Sequence, residues 1–133
     1  MINEENFRNH FSHFDNDIVV EIIDIFLEEY DDRIDKISGF IAKHDLDALR
    51  KAAHAFKGVI ANFETECDAY QHIEAIEKES RDMIEETNSG RVLSEEEENE
   101  FYHDLLQHFS AFRRSSFELL QDLKEIRKEY VQE

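Results

Sequence analysis

The chain has 133 residues, 33 of them acidic and 15 basic, for a formal net charge of −18. It holds 3 Gly and no Pro, where average usage gives about 16 of the two together; sheets need turns that lean on those residues, so an all-β or βαβ chain is excluded. A surface this acidic repels phosphate backbones and anionic lipid, which argues against nucleic acid or a membrane surface as a partner.

Apolar spacing predicts helices throughout, in one domain covering 1–133. A short first helix covers about Glu4 to Phe14 and stops at Asp15-Asn16-Asp17, any of which is a good N-cap for the next. The second runs from about Asp17 to His44, with Ile23, Phe26, Tyr30, Ile34, Ile37 and Ile41 three and four apart. Ile18, Ile22 and Ile25 widen its apolar face and are expected to pack under the first helix with Phe7 and Phe11, the alternative being a partly exposed docking patch for a receiver domain. The third opens after Asp45 and turns Leu46, Leu49, Ala53, Phe56, Ile60 and Phe63 inward. The fourth covers roughly Glu66 to Thr87, with Ala69, Ile73, Ile76 and Ile84 inward, and Asn88-Ser89-Gly90 stops it. Ser94 with Glu97 reads as a capping box for a last helix that continues towards Tyr130, loosening near Arg113-Arg114-Ser115-Ser116. The expected fold is all-α: an antiparallel four-helix bundle with the short first helix across one end.

On a wheel of about 100° per residue, the third helix has its apolar centre about 130° from His54, so His54 faces solvent. Beside it on that wheel lie Asp47, Arg50, Lys51, Lys57, Gly58 and Ala61. The window Arg50 to Phe63 has three bases and no acid, where the chain's average composition gives about 3.5 acids. Gly58 costs up to ~1 kcal/mol relative to Ala within a helix and leaves flat backbone beside the imidazole. An exposed His, adjacent cations and a low-relief surface suit a group that receives an anion and presents it to another protein.

His54-Ala55-Phe56-Lys57-Gly58 resembles the His-x-Leu-Lys-Gly signature of histidine phosphotransfer (HPt) domains, with Phe56 in place of Leu. The resemblance extends over the second and third helices, through Phe26-Leu27-Glu28-Glu29 and Asp45-Leu46-Asp47-Ala48-Leu49. It implies a phosphocarrier that relays phosphoryl groups between receiver-domain aspartates in multistep two-component signalling. His54 would be the phosphoacceptor and Lys57 would stabilise the phosphoryl charge. Gly58, with Arg50, Lys51 and Ala61, would form the receiver-docking face. Neutral imidazole has a nucleophilic nitrogen suited to reversible P–N bond formation. The implied partners are response-regulator receiver domains and a hybrid sensor histidine kinase. The receiver brings the divalent metal, so no cofactor or metal is expected in this chain, which is expected to be a monomer.

The remaining histidines offer less. His10 and His13 stand one turn apart near a helix end, and Glu100-x-x-His103 is a single copy of a unit that di-iron bundles need twice. Cys67, the one cysteine, excludes an internal disulfide and reads as a structural thiol. The opening Met-Ile-Asn-Glu-Glu lacks the basic start and apolar run of a signal peptide, and no apolar run approaches ~18 residues. A cytoplasmic location is therefore expected. A histidine kinase would need a glycine-rich ATP lid, which 3 Gly do not supply, so the chain is read as a carrier and not an enzyme. The rival is a helical adaptor that binds signalling partners with no phosphorylation. Such an adaptor cannot become an acid-labile, base-stable phosphoprotein.

Overall fold

The computed structural model describes residues 1–131. Five helices follow in chain order: α1 Glu4–His10, α2 Asn16–Ala42, α3 Leu46–Ala61, α4 Asp68–Asn88 and α5 Glu95–Tyr130. The starts of α1, α3 and α5 follow from side chains that satisfy otherwise unpaired N–H groups. Asn3 accepts from the Asn6 N–H, and Asp45 from the Ala48 N–H. Ser94 and Glu97 form the reciprocal capping box that their spacing predicts. Four acidic residues in the first turn of α5 sit at the positive end of its dipole.

The chain reverses between α2 and α3 at His44, whose φ of 56° lies in the left-handed region that usually takes Gly. Neighbouring α5 holds it there. Its ring stacks on Tyr102 at 3.6 Å between centroids, and its Nδ1 lies 3.0 Å from Glu98 Oε1.

Around the bundle, α3 packs on α4, α4 on α5, α5 on α2 and α2 on α3. Leu49, Ala53, Phe56 and Ile60 form the inner face of α3, as their spacing indicates. Phe56 is the keystone of this layer: its ring meets Phe26 at 6.3 Å, Tyr30 at 6.2 Å and Phe112 at 5.0 Å. Truncating such a ring costs about 3–5 kcal/mol. The side of α3 opposite Phe56 is thereby held facing out, and His54 stands on it.

Three expectations are corrected. Ile18 and Ile25 are exposed and Ile22 only half-buried, because α1 is seated elsewhere: Phe7 lies 6.3 Å from Phe63 and 5.9 Å from Tyr130. That places α1 across the end of the bundle, away from the outer face of α2. The first helix also ends at His10, with turns from there to Phe14. Nor does α5 loosen at Arg113–Ser116. The Ser115 hydroxyl donates to the Ala111 carbonyl and the Ser116 hydroxyl to that of Arg113, so both serines stay within the helical ladder. No helix of the described residues is long and apolar enough to cross a membrane.

Candidate functional site

His54 projects from the middle of α3 with its side chain 68% exposed. Its imidazole is nevertheless anchored. Nδ1 lies 2.8 Å from Glu77 Oε1, a carboxylate on α4 whose side chain is only 9% exposed. The other oxygen, Oε2, takes the Lys57 ammonium at 2.6 Å, as an ion pair out of line for a hydrogen bond. One buried carboxylate thus holds both the histidine and the lysine of the motif. Neither α3 nor α4 alone makes this arrangement; the packing of the two does.

Burial by itself would raise the Glu77 carboxyl. The Lys57 ion pair and the His54 hydrogen bond more than offset it, and hold the carboxyl below its ordinary value of 4.5. Lys57 moves the other way: Glu77 raises it above 10.5, against a smaller opposing effect of burial. A depressed acid stabilises the fold above its unfolded pKa and loses that contribution as pH falls through the folded one. The raised lysine stabilises below 10.5 and loses its contribution as pH rises through the folded pKa. The clamp should therefore be intact at neutral pH. Melting of Glu77→Gln should fall below that of wild type at pH 7, and the gap should close as pH drops below about 4.5. A gap independent of pH would show that the charge of Glu77 is not what stabilises.

The ionised carboxylate accepts, so His54 Nδ1 donates, and in the neutral ring that tautomer leaves Nε2 with its lone pair. Among the described residues, Nε2 has no hydrogen-bond partner. An exposed, oriented and unprotonated ring nitrogen is a nucleophile.

The other candidate residues are placed as follows. Arg50 and Lys51 share Asp47, at 3.5 Å and 3.1 Å. With Lys57 on Glu77, the three bases that stand out in the sequence are thus all paired, and the cationic patch is weaker than composition alone implies. Gly58 is exposed, and a Cβ built on it would meet nothing within 4 Å. Ala61 is half-buried on the same side of α3.

Two further His–Glu pairs occur, His44–Glu98 and His108–Glu79, but their carboxylates are 45% and 36% exposed. Only the partner of His54 is buried. His103 pairs with Gln107 at 3.0 Å, and no group of three or more His, Cys, Asp or Glu among the described residues is arranged to hold a metal. Cys67 is buried, and burial pushes its thiol up, away from the reactive thiolate.

Glu77 was not legible as a site residue. In sequence it is one acid among 33, and only its position one residue after inward-facing Ile76 hints at burial.

Comparison with known families matches the Hpt domain model to residues 21–128, which include α3, α4, His54, Lys57 and Glu77. No curated protein and no solved structure gave a match.

Proposed function

The chain belongs to the Hpt domain family, the histidine phosphotransfer domains that interact with receiver domains in two-component phosphorelays, and from that membership we propose that it carries phosphoryl groups between receiver aspartates on His54. The observation that carries this reading is the 2.8 Å contact between an exposed imidazole and a buried, ionised carboxylate. In the forward step, Nε2 attacks the phosphorus of a receiver's aspartyl phosphate, the P–N bond forms, and the P–O bond to aspartate breaks. The aspartate leaves as carboxylate, and the Nδ1 proton stays on the ring against Glu77. The positive charge that the ring gains on phosphorylation is balanced by that carboxylate. The return step to a second receiver reverses every bond change.

Glu77 is here a positioning residue: it fixes the tautomer and the ring orientation. Lys57 keeps Glu77 ionised and adds a positive charge one turn from the phosphoryl group. Lys57→Ala should slow transfer about tenfold, a modest effect because the ammonium is partly screened. Transfer rates and phosphohistidine lifetime equal to wild type would reduce Lys57 to a surface charge.

Gly58, with Arg50, Lys51 and Ala61 around it, provides the docking face. Gly58→Gln should melt no lower than wild type, since the position is open and Gln favours helix by a few tenths of a kcal/mol. Uptake from a phosphorylated receiver should nevertheless fall at least about tenfold, because the new side chain stands beside the imidazole. Uptake from phosphoramidate, which needs no protein interface, should persist. Equal loss with both donors would mean that the histidine site itself was damaged. The test of the whole reading is incubation with a phosphorylated receiver: an acid-labile, base-stable phosphoprotein supports it, and a chain that stays unlabelled is an adaptor.

A further inference from the structure

Six of the eight arginines lie within 4.0 Å of a carboxylate: Arg8, Arg33, Arg50, Arg81, Arg91 and Arg127. With 33 acids in 133 residues, that is the expected condition. Arg113 and Arg114 are the exceptions among the described residues. Both are exposed at mid-helix on α5; Arg113 lies over the Phe109 ring, and Arg114 donates to the Ser110 hydroxyl at 3.3 Å. They form one wall of a groove of about 630 Å³ between α2 and α5. Phe117, 55% exposed, belongs to the same wall. The α2 wall carries Asp31 and Asp35, with Ile34 and Tyr30 on the floor.

One wall is therefore basic and aromatic, and the other is acidic. The helices run antiparallel, with Tyr30 meeting Ser116 and Asp24 meeting Arg127, which sets Asp35 within about a turn of the level of Arg113. A two-fold axis lying along such a groove exchanges the walls without changing levels. It lays α5 of one chain over α2 of another, so that arginines face aspartates on both sides and each Phe117 enters the opposite groove. Isologous interfaces require this kind of self-complementary patch. The axis across the groove would instead oppose like charges.

We propose that the α2–α5 groove is a homodimer interface, occupied by a second copy of this chain. This departs from the monomer expected from the sequence. Because α3 contacts α2 and α4 and lies across the bundle from α5, both His54 side chains remain outside the interface. The net charge of −18 opposes association at long range. At about 150 mM salt the Debye length is only ~8 Å, which damps that repulsion more than it damps pairs in contact.

Sedimentation equilibrium of the full chain in about 150 mM salt, up to about 1 mM protein, should show reversible growth from 15.9 kDa towards twice that mass. Arg113→Glu with Arg114→Glu, and separately Asp31→Lys with Asp35→Lys, should each weaken self-association at least tenfold. An equimolar mixture of the two variants should restore it, because each supplies the wall that the other lacks. Where circular dichroism shows that a charge-reversed variant has not folded, Phe117→Ser replaces it and should weaken association by a similar factor. The proposal is overturned by a single-chain mass at every concentration. Folded charge-reversed variants that associate like wild type, or a mixture that fails to reassociate, overturn it equally.

Discussion

Replacing His54 with Gln is expected to leave a folded bundle that takes up no phosphoryl group from a receiver or from phosphoramidate. The side chain is 68% exposed and makes no contribution to the core, so helicity and melting should stay close to wild type. Gln also retains an N–H that is able to face Glu77. What is lost is the ring nitrogen, and no other group in α3 replaces it. Undiminished labelling of this variant, or phosphate mapped to His44 or His108, would end the assignment. Those two are the informative alternatives because each also has one ring nitrogen on a glutamate, at 3.0 Å and 3.1 Å.

The second large effect is expected at Glu77. Glu77→Ala removes the acceptor that holds Nδ1–H, and the imidazole then distributes its proton over both nitrogens and rotates more freely. Loss of an orienting carboxylate of this kind costs about 10–100-fold in rate. Glu77→Gln keeps an oxygen that accepts from Nδ1 but removes the charge, and its rate should fall between those of wild type and the alanine variant. A purely structural Glu77 would alter stability and leave the tautomer unchanged. Ring ¹⁵N spectra therefore decide the matter: the Nδ1–H tautomer should dominate at His54 in wild type and lose that dominance in Glu77→Ala. If the tautomer and the transfer rates match wild type in a folded variant, Glu77 has no positioning role.

The helices were legible in the sequence because their apolar positions recur every three or four residues and because Asp45, Ser94 and Gly90 mark ends with local chemistry. The common outer face of His54, Lys57 and Gly58 was legible for the same reason: they lie within about one turn of one helix, and that geometry needs no tertiary information. Glu77 belongs to another helix, 23 residues on, and its partnership exists only once α3 and α4 pack. The pairing of Arg50 and Lys51 with Asp47 was within reach, since it is an i,i+3 and i,i+4 relation in α3. The window from Arg50 to Phe63 excludes Asp47, one turn upstream, so its charge overstates the cationic patch. Ile18 and Ile25 were misplaced because periodicity says which residues share a face but not which neighbour covers it. The docking of Phe7 on Phe63 and Tyr130, set by contacts across the chain, left that face open.

In the proposed function, Glu77 holds Nδ1–H and leaves His54 Nε2 to carry the phosphoryl group. The most direct measurement is the position of phosphorus on the ring, read by ³¹P and ¹⁵N spectroscopy of the full chain after phosphorylation by a receiver. A single P–N bond at Nε2 of His54, with Nδ1 still protonated against Glu77, is the predicted result. Phosphorus on Nδ1 of His54, or on any other residue, would contradict it.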